Sequence, residues 1–171
     1  MNILLRMLTR VGAAFNPLDL LDEINLARRD PKLYATYVSE RSRNFNNQYE
    51  VAETIRYLQT VTPCNNILTL NSELSNLSTS FLTEQGAKGE LGHGSFSIRF
   101  NNTRYLEIAE NISYGITSAR DIVVAFIVDE GIPGKGHRLN IFNCRMTEIG
   151  IGYSYHSQYR IAVGIIFRRI S

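Results

Sequence analysis

Two runs near the C-terminus constrain the fold most, because they change the hydrophobic period of the chain. Ile149, Ile151, Tyr153 and Tyr155 alternate with Gly150, Gly152 and Ser154, and a period of two marks a strand. His156-Ser157-Gln158 reads as a turn, after which Tyr159, Ile161, Val163, Ile165 and Phe167 alternate again. The pattern predicts an antiparallel hairpin of two long strands. A lone hairpin is marginal in water, so the upstream segments must cover it.

Those segments have the period of helices. Asn16-Pro17-Leu18-Asp19 combines an N-cap, a proline at the first helical position and an acid in the first turn. Leu20, Leu21, Ile24 and Ala27 then recur at helical spacing. Asp30-Pro31 ends that helix and starts a second, striped by Leu33, Tyr34, Tyr37 and Val38, and Asn44 to Asn47 reads as a polar loop. A third helix is expected from Glu50 to about Val61, and a fourth from an N-cap at Asn71 to a stop at Gly86. Signals conflict between Ser95 and Tyr114, which reads as irregular. Ser118 caps a fifth helix whose Ile122, Val123, Ala125, Phe126 and Ile127 make it apolar on most sides, as in a core helix. Helices first and strands last, without βαβ alternation, indicate an α+β domain.

The length of 171 residues suits one domain, and 44% apolar with 20% charged residues is ordinary for a globular chain. A net charge of +2 with scattered basic residues argues against a nucleic-acid partner. No run approaches the ~20 apolar residues of a transmembrane span. Residues 1–17 read as an N-terminal arm or a remnant of a signal segment, interrupted by Arg6 and Arg10, with the domain over 18–171. Cys64 and Cys144 permit one disulfide or two free thiols; they lie in no Cys-x-x-Cys pair, and buried free thiols are the favoured reading. Asn76, Asn101 and Asn111 open Asn-x-Ser/Thr sequons, weak support for secretion.

The densest group of chemistry-bearing residues follows the fifth helix. Asp129 to Asn143 packs acids, glycines, a proline and His137 into a stretch with little regular-structure propensity. Asp129 and Glu130 at a helix C-terminus oppose the helix dipole by ~0.3–1 kcal/mol each, a hint that they serve a site. His93 lies in a second glycine-rich stretch. With Glu110, Asp129 and Glu130, the two histidines are candidate ligands of zinc or a similar divalent ion. No Gly-x-Ser-x-Gly elbow or P-loop occurs, and Ser95 is too close in sequence to His93 to act as its nucleophile.

Several segments in order resemble the CAP superfamily, the domain shared by cysteine-rich secretory proteins, insect venom antigen 5 and plant pathogenesis-related proteins. They are Leu20–Arg28, Leu70–Glu84, Gly92-His93-Gly94-Ser95, Ala109-Glu110-Asn111-Ile112, Gly136-His137-Arg138-Leu139-Asn140-Ile141 and Ile149–Tyr153. The wording around Asp129 and Pro133 is similar to that of disulfide-poor microbial and protist members. The resemblance implies an α–β–α sandwich with a central antiparallel sheet. It also implies a cleft of two histidines and two acids that holds a divalent metal in some members. Matched by motif, these are His93, Glu110, His137 and one of Asp129 or Glu130. Asp129 is preferred because it lies one turn after Phe126, which stands where the family has a tryptophan. Glu130, Asn140 and Ser95 are secondary candidates.

The leading expectation is a non-enzymatic binding or interaction protein with a His/acid cleft for a divalent metal, zinc first, with calcium or magnesium as alternatives. A metal-assisted hydrolase using Glu110 or Glu130 as general base is a second expectation. A lipid or sterol carrier is a third, and another protein remains open as partner. A fourth makes His93 and His137 hydrogen-bonding partners of the acids. The family association points to a secreted or extracellular location.

Overall fold

The computed structural model describes residues 15–170, so the expected N-terminal arm lies mostly outside the described residues. Its first helix, α1 (Pro17–Arg29), starts where Asn16 Oδ1 accepts from the Leu18 N–H. Asp30 ends it and caps α2 (Pro31–Glu40) through the Leu33 N–H. Asn47 caps α3 (Gln48–Thr60), and Asn71 caps α4 (Ser72–Lys88). Ser118 caps α6 (Ala119–Val128), which follows the short α5 (Phe96–Arg99). Each cap places a short polar acceptor against N–H groups that lack a helical partner.

Strands β1 (Thr69–Leu70), β2 (Glu107–Tyr114), β3 (Glu148–His156) and β4 (Arg160–Arg169) form a sheet in the order β1-β3-β4-β2. The β3–β4 hairpin is antiparallel, pairing Gly152 with Gly164, and β2 adds antiparallel to β4, pairing Glu110 with Ile166. The two-residue β1 is the one parallel addition among the described strands. Helices cover both faces, which makes the α–β–α sandwich.

Strand alternation sorts the two faces. Ile149, Ile151, Val163, Ile165 and Phe167 join the main core with α1, α2, α3 and α6. The opposite face carries Gly150, Gly152 and Gly164, and α4 lies directly on it. A Cβ at Gly150 would come within 2.4 Å of the Leu74 carbonyl carbon, and one at Gly152 within 2.4 Å of the Thr79 nitrogen. The glycines between the isoleucines are the floor on which α4 rests.

Three expectations need correction. Helix α4 does not stop at Gly86 but runs to Lys88, with Gly89 in the left-handed conformation as its C-cap. Gly86 is required for a different reason, since a Cβ there would meet the Tyr155 carbonyl oxygen. The stretch read as irregular contains α5 and β2. Its strand carries no clear apolar alternation, because buried Glu110 and Asn111 take positions that apolar residues usually fill.

The cysteines are not free. Cys64 and Cys144 form a disulfide across 80 residues of sequence, with Cα atoms 5.1 Å apart. The fully buried Arg28 gathers the two segments. Its guanidinium donates to the Ile141 and Asn143 carbonyls and to Asn66 Oδ1, while its own carbonyl accepts from the Cys64 N–H. Burial pushes the Arg28 pKa down to about 10.

Candidate functional site

Strand β2 is an edge strand, and neighbouring residues on it anchor two histidines. Glu110 faces the α4 side, like its partner Ile166, and Asn111 faces the main core, like its partner Ile165. Successive strand residues lie only ~3.3 Å apart along the strand, so the two histidine-bearing segments reach β2 at one level from opposite sides.

On the α4 side, His93 arrives in the loop between α4 and α5. Its Nδ1 lies 2.9 Å from Glu110 Oε1. The ring is half exposed, whereas the Glu110 side chain is 1% exposed. Arg99, the last residue of α5, donates from Nη1 to Glu110 Oε2 at 2.8 Å and from Nη2 to Oε1 at 2.7 Å. Nη2 also donates to the His93 carbonyl at 2.9 Å. The guanidinium lies 3.7 Å from the centroid of the Phe81 ring, a cation–π contact. Sequence reading missed Arg99. The available signal was a basic residue between Phe96 and Phe100, a charge set among aromatic side chains.

On the other side, α6 ends with Asp129 in the left-handed conformation, φ 52° and ψ 46°. Asp tolerates this better than most residues, although it remains a strained position away from glycine. The turn aims the carboxylate forward at α7 (Gly136–Ile141). Oδ2 accepts from the His137 backbone N–H at 2.9 Å, and Oδ1 lies 2.7 Å from His137 Nδ1. Lys135, also left-handed, donates to the Asp129 carbonyl and pairs with Glu50 at 2.9 Å. Hydrogen bonding to Lys135 holds the Glu50 carboxyl below its usual range. Phe126 packs beside His137 with ring centroids 5.1 Å apart.

The secondary candidates are placed differently. Glu130 turns away from the histidines and accepts from the Asn47 N–H. Asn140 donates to Asn111 Oδ1 at 2.8 Å, and Asn111 Nδ2 donates to the His137 carbonyl at 3.1 Å. These two asparagines tie α7 to β2. Asn111, which opens a sequon, is itself fully buried in the fold. Ser95 precedes α5 and makes no side-chain cap there.

His93, Glu110, Asp129 and His137 are thus brought together as two pairs, His93–Glu110 and His137–Asp129. Among the described residues, no three of His, Cys, Asp and Glu gather where they could hold a metal ion. Both Glu110 oxygens accept from Arg99, and both Asp129 oxygens accept from His137. A first shell built from all four residues does not fit this arrangement.

A family profile for the cysteine-rich secretory proteins, CAP, matches residues 21–166. The chain belongs to the CAP family. One solved structure shows the same fold at low identity. An outer surface protein from Borrelia burgdorferi is 14% identical with a TM-score of 0.52, and the match covers 85% of this CAP chain and 96% of that one. An extracellular protein with an SCP domain from Bacillus anthracis is 15% identical, TM-score 0.49, over 71% of this chain and 39% of its own. A cysteine-rich secretory protein from Staphylococcus aureus is 17% identical, TM-score 0.44, over 72% and 40% respectively. The CAP chain therefore spans about two fifths of the Bacillus and Staphylococcus proteins. No curated protein matched the sequence.

Within the CAP domain, Asn25 and Arg28 of the Leu20–Arg28 segment have structural work. Asn25 exchanges two hydrogen bonds with the Leu68 backbone, and Arg28 holds the disulfide-bearing segments. No helix among the described residues is long and apolar enough to cross a membrane.

Proposed function

We propose that this CAP domain is a non-enzymatic binding or interaction module. The observation that carries the reading is the commitment of both site acids. A general base needs a carboxylate oxygen free to take a proton from water or substrate. Glu110 is held by the Arg99 fork and His93, while Asp129 is held by the backbone and ring of His137. Glu130, the other base considered for a hydrolase, faces Asn47 instead. No serine or cysteine is hydrogen-bonded to either histidine among the described residues. What the site offers is a rigid pair of imidazole edges flanking β2, suited to recognition by contact and hydrogen bonding. A lipid, a sterol or another protein remains the class of partner.

The Cys64–Cys144 disulfide supports action in an oxidising compartment, as secreted proteins have. The outer-surface description of the Borrelia protein fits that placement.

The test is turnover. Purified protein incubated with broad peptide and ester panels, with and without added zinc, is expected to match buffer. Hydrolysis that disappears in His93→Ala would overturn the reading in favour of a hydrolase.

A further inference from the structure

Buried carboxylates demand compensation, because taking an ion out of water is costly unless it is paired and hydrogen-bonded. Glu110, 1% exposed in its side chain, is such a group. Its compensation comes from within the chain. The planar guanidinium of Arg99 meets both carboxylate oxygens in a fork, the geometry in which arginine binds carboxylate best. This is also the side from which a cation would chelate both oxygens. The same guanidinium reaches the His93 carbonyl, so it fixes both the acid and the backbone of the histidine that the acid orients.

Other contacts hold Arg99 in this place. Phe81 lies under its plane, with Phe100 5.0 Å from the guanidinium carbon to the ring centroid. Its side chain is 15% exposed. Gly94 lets the His93 loop close over the same ring, since a Cβ there would come within 2.9 Å of Phe81 Cε2. A divalent ion approaching Glu110 would meet a fixed positive charge already engaged with both oxygens.

We propose that Arg99 is the built-in cation of the His93 half-site, occupying at Glu110 the place a divalent ion would take, so that this half-site assembles without metal. Arg99 is a positioning residue here, acting on His93 through Glu110 and the loop carbonyl. The proposal concerns what holds the site together, and it stands whether or not the module proves to be an enzyme.

The test compares zinc affinity, by competition with a chromophoric chelator, in metal-free wild type, Arg99→Lys and Arg99→Gln. Removing the fork frees carboxylate oxygens, so affinity is expected to rise from wild type through Arg99→Lys to Arg99→Gln, by about tenfold or more overall. Adding Glu110→Gln to Arg99→Gln is expected to abolish the gain. A purely structural role for Arg99 would lower thermal stability without creating a Glu110-dependent zinc site. Equal zinc affinity in wild type and Arg99→Gln, or no gain in either variant, overturns the proposal. Should Arg99→Gln not fold, wild type against Arg99→Lys decides: a gain supports it, and no gain overturns it.

Discussion

Replacing Asp129 by Asn tests how the second half-site is wired. An ionised carboxylate only accepts hydrogen bonds, so the pairing of Asp129 Oδ1 with His137 Nδ1 at 2.7 Å requires the ring proton on Nδ1. In a tautomer with Nδ1–H, the ring's lone pair sits on Nε2. Asn fits the left-handed conformation of residue 129, so the backbone contributes little to the difference. In Asp129→Asn, the amide oxygen takes over the His137 backbone N–H, bonded at 2.9 Å in the native protein. The amide NH2 then faces His137 Nδ1, which must become an acceptor, and the ring proton moves to Nε2. Two hydrogen bonds to a charged group, ~1.5–3 kcal/mol each, become two neutral ones of ~0.5–1.5 kcal/mol. The expected loss is about 2–3 kcal/mol. For a chain of this size that lowers Tm by roughly 5–10 °C. Urea unfolding gives the first quantity, and long-range proton–nitrogen NMR of the imidazole gives the tautomer. An unchanged Nδ1–H tautomer together with a loss below about 0.5 kcal/mol would refute the wiring, because native bonds of this strength cannot be exchanged without cost.

Gly152→Ala is expected to destabilise by about 3 kcal/mol or more, since its Cβ would meet backbone atoms of α4 that cannot move aside singly. Gly136→Ala, whose Cβ meets nothing within 4 Å at the start of α7, should stay within about 0.5 kcal/mol or gain stability; urea unfolding of both variants compares them. A second expectation concerns acid. Arg138 forks onto Glu53 with two bonds of 2.9 Å and holds its carboxyl below the usual carboxylate range. The native state therefore binds this proton less readily than the unfolded chain. The contribution is fully present above the unfolded pKa and is lost as pH falls through the lower folded one. Stability measured downward from about pH 6 should fall less in Glu53→Gln than in wild type over that acid window.

Much of the architecture was legible because its causes are local. Asn16, Asp30, Asn71 and Ser118 each cap the helix that their sequence context announces, since capping involves only the next two or three residues. The β3–β4 hairpin was equally visible, because one buried face writes a period of two into the chain. Strand β2 was hidden by the residues that make it interesting: Glu110 and Asn111 are polar yet buried, and their partners come from residues 93, 99, 137 and 140.

The site divides in the same way. Motif matching selected His93, Glu110, Asp129 and His137 by number, but not the partition of these four into two pairs on either side of an edge strand. That partition depends on which face of β2 each residue occupies and on the left-handed turn at Asp129. Arg99 and the Cys64–Cys144 disulfide belong wholly to the tertiary structure. One requires α5 and β2 to meet, and the other requires Arg28 to gather segments 80 residues apart in the chain. Sequence by itself determined helices α1–α4 and α6, the hairpin and the family, because those rest on neighbours and periodicity. Only the folded chain decided which charge answers each buried carboxylate, because that choice is made among residues far apart in sequence when they leave water together.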